Sequence, residues 1–164
     1  SSGYENVGTK PENATDGLLD TRWSSRFMDG EWLTIDLQNT YAVNRVKLYW
    51  EAAYATHFDI QLSTDGVEYT TAYTATDAEG GTQDIILPNG PTEARYVRIF
   101  CHQRNTGYGS SLYEVEVYGV RRPTALENTY SEDNQLPHLI LRNGQIYIMH
   151  KAKIYHISGQ LLQE

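Results

Sequence analysis

The sequence predicts an all-β protein, a sandwich or jelly roll of about eight strands, on three observations. Aromatic residues are abundant, with 13 Tyr, 3 Trp and 3 Phe in 164 residues beside 13 Gly, which favours pleated strands joined by tight turns. Apolar residues recur at every second position in several short runs, as in a strand with one buried face. Turn-forming residues separate those runs at intervals of roughly 8–12 residues, the spacing of a sandwich or barrel.

The elements follow in chain order. Residues 1–30 are rich in Gly, Asn, Thr and Asp and read as loop. In 31–37, Leu33, Ile35 and Leu37 alternate with Trp32, Thr34 and Asp36, and in 43–50 Val46, Leu48 and Trp50 share one face. Phe58, Ile60 and Leu62 do the same in 57–63. Thr64-Asp65-Gly66-Val67 then signals a hairpin, because Asp-Gly accepts the positive φ of a tight turn. Further strands are expected at 69–74, 83–87, 95–101 and 112–120. Arg121-Arg122-Pro123 ends the pattern of a domain spanning 1–120, and 121–137 is polar and linker-like. A short tail, 138–164, predicts a three-stranded meander at 139–141, 145–149 and 153–157, with an Asn143-Gly144 type I′ turn. So few strands are marginal alone, so the tail is expected to lean on the main domain or a neighbour.

Composition narrows the partners. A chain of 164 residues buries roughly 68–70% of its unfolded surface, enough for one full core. The net charge of −8 repels nucleic acid and anionic membrane. It suits a neutral polymer, or a cationic one such as a partly deacetylated amino sugar. No run of about 18 apolar residues is present to span a membrane. The chain opens on Ser1-Ser2-Gly3 without a leader pattern, as an excised or mature segment would. The single cysteine, Cys101, follows Val97 and Ile99 at period two and reads as a core residue.

Two segments carry chemistry beyond the strand pattern. Asp16-Gly17 is a turn in which Asp can cap its own backbone and Gly supplies positive φ. The same turn offers a carboxylate, the Thr21 hydroxyl and backbone carbonyls such as that of Ala14, the hard oxygens a calcium ion takes. Far along the chain, Glu114 alternates with Tyr113 and Val115, sharing a face with Leu112. A carboxylate there is costly to bury unless paired or bound to metal.

The run Asp16-Gly17-x3-Thr21-Arg22-Trp23-x-Ser25, followed by Glu31-Trp32-Leu33-x-Ile35-Asp36-Leu37, resembles the discoidin or coagulation factor 5/8 type C family. So do Val46-x-Leu48-x-Trp50-Glu51, Ser63-x-Asp65-Gly66, Ala94-Arg95-Tyr96-Val97-Arg98-Ile99 and Ser111-Leu112-Tyr113-Glu114-Val115-Glu116-Val117-Tyr118-Gly119. The resemblance covers residues 1–120 and implies a galactose-binding-like β-sandwich with a structural calcium. By motif position Ala14, Asp16, Thr21 and Glu114 match its ligands. Leu18 and Leu19 depart from the polar residues common in that loop, which leaves only their carbonyls to contribute. The bacterial branch of the family, carbohydrate-binding module family 32, binds sugars on loops at one end of the sandwich. Here Glu5, Arg22, Phe27, Glu51, Arg104 and Tyr108 match as ligand candidates. An aromatic face stacks on the C–H face of a pyranose while charged groups fix its hydroxyls.

The resemblance within that branch runs to modules attached to chitosan-, glucan- and chito-oligosaccharide-degrading enzymes, and the whole chain is similar to the C-terminal region of bacterial chitobiases. It therefore implies a non-catalytic, monomeric module in the same parent chain as a glycoside hydrolase, secreted, periplasmic or at the cell surface. Its ligand would be a chito-oligosaccharide, amino sugar, galactoside or β-glucan end. The alternative is an adhesion-type discoidin domain, with Phe27 and Met28 as an apolar tip against lipid or protein. Two carboxylates such as Glu5 and Glu51 on one rim could in principle serve as a glycosidase pair, but an open loop rim supplies no buried acid of raised pKa. The five histidines, at 57, 102, 138, 150 and 156, show no zinc spacing. The tail resembles the end of Por secretion system C-terminal sorting domains without their upstream strands. A vestigial hairpin reads equally well.

Overall fold

The computed structural model describes residues 1–121 and, within 138–163, the backbone of four strand segments. The chain divides into two compact units, Ser1–Arg122 and Pro123–Glu164. The first is a β-sandwich of seven strands: β1 (Trp23–Ser24), β2 (Glu31–Trp50), β3 (Ala55–Ser63), β4 (Thr70–Ala75), β5 (Thr82–Ile86), β6 (Thr92–Arg104) and β7 (Ser111–Arg121). They pair antiparallel in the order β1-β7-β2-β6-β3-β4, with β5 also on β2. Among the described residues no helix is long and apolar enough to cross a membrane.

β2 joins the two layers. It pairs β6 from Glu31 opposite Cys101 to Asp36 opposite Tyr96 and, past a register shift, from Tyr41 opposite Ala94 to Val43 opposite Thr92. Its second half pairs β7 from Tyr41 to Trp50 and β5 from Arg45 to Tyr49. The two strands expected at 31–37 and 43–50 are therefore one element with an irregular middle. There Gln38 takes a positive φ of 67° and its N–H donates to Asp36 Oδ1 at 2.8 Å. Leu33, Phe58, Ile60, Val97 and Ile99 from one layer meet Val46, Leu48, Ile85, Leu112 and Val115 from the other in one core. Burying each such side chain contributes about 1.5–3 kcal/mol. Trp23, wholly buried, seals the end of this core beneath the N-terminal segment and donates its indole N–H to the Gly3 carbonyl.

The period-two faces read from the sequence lie inside: Phe58, Ile60 and Leu62 are buried, as are Val46, Leu48 and Trp50. Cys101 is buried with them, and burial pushes its thiol up to about 12. The Asp65-Gly66 connection joins β3 to β4, with Gly66 at positive φ and Asp65 Oδ1 accepting from the N–H groups of Val67 and Glu68. β1 escapes the sequence pattern because two residues cannot display an alternation.

The second unit is a four-stranded antiparallel sheet, β8 (His138–Arg142), β9 (Gln145–His150), β10 (Lys153–His156) and β11 (Leu161–Gln163), in the order β11-β10-β9-β8. This corrects the three-stranded meander: a fourth strand follows, whose Leu161-Leu162 pair carries no alternation. Of the expected linker at 121–137, only Arg121, the last residue of β7, is among the described residues. The expected Asn143-Gly144 turn lies outside them.

Candidate functional site

Three segments meet at one end of the sandwich, tied by backbone hydrogen bonds. The connection from β2 to β3 is sewn to β7, because Glu51 N–H donates to the Ser111 carbonyl at 3.0 Å and Ser111 N–H to that of Ala53 at 2.7 Å. The N-terminal segment joins through Glu5 N–H on the Ser24 carbonyl at 2.9 Å. Asn105 clamps the β2–β3 connection to the β6–β7 loop. Its Nδ2 donates to the Ala52 carbonyl, and its Oδ1 accepts from Tyr54 N–H, both at 2.9 Å.

Between them lies a cleft of about 360 Å³ lined by Glu5, Arg22, Ser24, Glu51, Ala52, Ala53, Thr106, Tyr108 and Ser111. Four of the six ligand candidates from the sequence thus line one cavity, although they span more than a hundred residues of chain. Arg22 Nε donates to Ser111 Oγ at 3.0 Å, and its guanidinium stands 4.0 Å from Glu5 Oε2. Ser111 Oγ in turn donates to the Trp23 carbonyl at 2.9 Å, so the buried turn at Trp23 sets where Arg22 points. Glu51 Oε2 accepts from Ala53 N–H at 2.9 Å and caps its own turn. Two carboxylates against one guanidinium leave the rim acidic.

The other two candidates stand behind Tyr108. Phe27 packs edge-on against its ring, with centroids 5.8 Å apart and planes at 90°. Arg104 donates to the carbonyls of Gly107 and Tyr108 at 3.3 and 3.1 Å and to Asp29 Oδ1 at 2.9 Å. It therefore braces the loop and does not line the cleft. Tyr108 itself is 66% exposed. Gly109 must be glycine, since a Cβ there would collide with the Ser25 carbonyl. Ser24, Ala52, Ala53, Thr106 and Ser111 were absent from the sequence candidates. They are small residues that complete the cleft lining, and only the tertiary pairing of the β2–β3 and β6–β7 connections with β1 and β7 brings them there.

On the neighbouring turn, Gly17 takes a φ of 78°, which allows its N–H to donate to Glu114 Oε2 at 3.1 Å. Leu18 N–H donates to Asp16 Oδ1 at 2.9 Å and Thr21 Oγ1 to Asp16 Oδ2 at 2.7 Å. Asp16, Thr21 and Glu114 are thus gathered across 98 positions of sequence, with wholly buried Ala14 at the end of the preceding 3-10 turn, Pro11–Thr15. Glu114 is 8% exposed. Burial pushes its pKa above the usual carboxylate range, the Gly17 N–H opposes that, and the Asp16 and Glu116 charges add to the rise. A buried carboxylate destabilised by a second carboxylate, in an all-oxygen donor set, is the environment a calcium ion neutralises.

The F5/8 type C domain model matches residues 1–115, and the chain belongs to that family. Among solved structures it is similar to chitosan-binding module 1 from a chitosanase/glucanase of Paenibacillus sp. IK-5, with 44% identity over 72% of this chain and 91% of that one, at a TM-score of 0.69. Module 2 of the same enzyme, solved in complex with chitotriose, is 41% identical over 72% of this chain and 92% of that one, at a TM-score of 0.67. A curated relative, the polysaccharide lyase 8 family protein HylA of Enterococcus faecalis, is 31% identical over 124 residues. The chain aligns with 71% of its own length but spans only 9% of that protein.

Proposed function

We propose that this chain is a non-catalytic carbohydrate-binding module whose ligand is an amino-sugar oligosaccharide, and that it serves a glycoside hydrolase in the same parent protein. The observation that carries the reading is one cleft in which an exposed tyrosine ring stands beside two carboxylates and an arginine. The Tyr108 ring would lie against the C–H face of a pyranose. Glu5 and Glu51 would accept hydrogen bonds from its amine and hydroxyls, and a glucosamine ammonium would strengthen both. Arg22, held by Ser111, keeps the Glu5 carboxylate in place and donates to a ring or hydroxyl oxygen. The 44% identity to a chitosan-binding module supports the amino-sugar choice over galactosides and β-glucans.

A calcium ion would be held by Asp16, Thr21 and Glu114 with the Ala14 carbonyl. It would supply the positive charge that lets Glu114 stay ionised while buried, and so stiffen the base of the N-terminal loop. A hydrolase of the chitobiase type, secreted or at the cell surface, is the parent this reading implies. Tethering would raise the local concentration of the enzyme at its polymer.

Titration calorimetry with the glucosamine trimer and its N-acetylated counterpart tests the reading. The glucosamine trimer should bind more tightly, with an affinity that falls as salt rises. Binding of neither trimer, nor of any member of a glycan array, would overturn it. Association with lipid vesicles in that case would select the adhesion reading, through Phe27 and Met28.

A further inference from the structure

The outer face of the layer formed by β6, β3 and β4 carries a second set of donors, sharing no residue with the cleft or with the Asp16–Glu114 turn. Phe58 is wholly buried, so its neighbours His57 and Asp59 project from the opposite face of β3. On β6 the register slips between Phe58–Cys101 and His57–Gln103. His102 and Gln103 therefore both oppose His57, a bulge of the kind that re-aims a side chain. The result sets His102 beside both β3 residues. Its Nε2 stands 3.0 Å from Asp59 Oδ2, and its ring lies 4.4 Å from that of His57. One donor atom from each of the three lies within 4.8 Å of the others.

The surroundings orient the set. Asp59 is 8% exposed although it faces outward, because β4 covers it. Thr74 Oγ1 donates to its Oδ1 at 2.7 Å and Thr71 Oγ1 to its Oδ2 at 3.3 Å. Burial alone would raise the Asp59 pKa, but the Thr74 hydroxyl and the His102 imidazole hold it below the usual carboxylate range. Phe100, with its ring 4.7 Å from that of His102, restrains the second imidazole. Outer hydrogen bonds to a ligating carboxylate and packing around a ligating ring are what a metal site needs beyond its donors.

From this geometry we propose that His57, Asp59 and His102 form a binding site for one divalent transition-metal ion of the zinc, cobalt or nickel class. Two imidazoles and a carboxylate are borderline donors that suit these ions and not calcium. Metal–ligand bonds of about 2.0–2.1 Å place neighbouring donors about 3.3 Å apart in a tetrahedral site. The His102–Asp59 edge is already near that value. The half-buried His57 ring closes the remainder by rotating about its side-chain bonds. The metal would sit between His102 Nε2 and Asp59 Oδ2, in place of their direct contact. Three protein donors leave at least one coordination position for water or an external oxygen. Sequence spacing hid the set, because strand pairing across 45 positions, not a short motif, joins His57 to His102.

The test uses the full chain, freed of metal by chelation, with cobalt(II) as an absorbing probe and zinc titration as the second measurement. One equivalent of cobalt should bind, with visible bands of a low-coordinate site that zinc displaces and excess calcium does not. His57→Gln and His102→Gln should each weaken binding by more than about tenfold while leaving the far-ultraviolet circular dichroism unchanged. Replacing the three tail histidines together should leave the cobalt spectrum intact. Failure of the wild type to bind cobalt or zinc, or binding that survives both glutamine substitutions, overturns the proposal.

Discussion

Replacing Glu114 by Gln separates the cost of its buried charge from the benefit of calcium. The amide keeps the shape of the carboxylate, and its oxygen can still accept from Gly17 N–H, now 3.1 Å from Glu114 Oε2. In chelated protein the wild-type carboxylate is held above its usual pKa, first by burial and then by the Asp16 charge. The folded state therefore holds the proton more tightly than the unfolded chain does. Below the unfolded value, near 4.3, both states are protonated and no penalty arises. As pH rises through the folded value the penalty grows, reaching its full size by pH 7. Glu114→Gln should then be more stable than the chelated wild type by about 1–2 kcal/mol at pH 7, with the difference vanishing near pH 4. Calcium should reverse the order. At about 100 times its dissociation constant it contributes about 2.7 kcal/mol to the wild type, roughly an 8–13 °C rise in Tm for a unit of this size. The variant, short of a carboxylate ligand, should gain much less. Differential scanning calorimetry at several pH values, with EDTA and with calcium, reads all four states. A wild-type Tm indifferent to chelation, or a full calcium response in Glu114→Gln, would refute the reasoning.

Three further outcomes follow from the site and its supports. Tyr108→Ala should weaken glucosamine-trimer binding about tenfold or more, equal to 1.4 kcal/mol, while a surface truncation changes stability by within about 0.5 kcal/mol; calorimetry and thermal melting check the pair. Arg104→Ala removes the brace on the Gly107 and Tyr108 carbonyls, so affinity should fall by less than in Tyr108→Ala, with a larger entropic cost of binding. Arg26→Ala should destabilise by about 1 kcal/mol in urea unfolding, because Glu31, with a side chain 4% exposed, loses a guanidinium at 2.8 Å, while the 53% exposure of Arg26 lets water screen the pair.

Much of the fold was legible because a half-buried strand imprints period two on its own residues. Leu33, Val46, Leu48, Phe58, Ile60 and Leu62 each declared a face, and each is buried. Where the physics is not local, the reading stopped. The merging of two expected strands into β2 depends on β6 pairing both sides of its irregular middle, up to Val43, while β7 joins from Tyr41 onward, which no window of sequence contains. Candidate residues behaved similarly. Glu5, Arg22, Glu51 and Tyr108 came from motif position, and the structure places them around one cleft. Arg104 and Phe27 came from the same source but stand behind Tyr108, since side-chain direction is set by neighbours such as Asp29.

By itself, then, the sequence determined an all-β chain of the F5/8 type C family, through alternation, turn chemistry and motifs that run in order along 1–120. Only the tertiary structure decided which distant residues share a space. It brought Glu114 to Gly17, Arg22 to Ser111, and His102 between His57 and Asp59. The physical reason is the same in each case. Strand identity is written in local side-chain periodicity, whereas register, bulges and loop closure are settled by long-range pairing that a linear reading never sees.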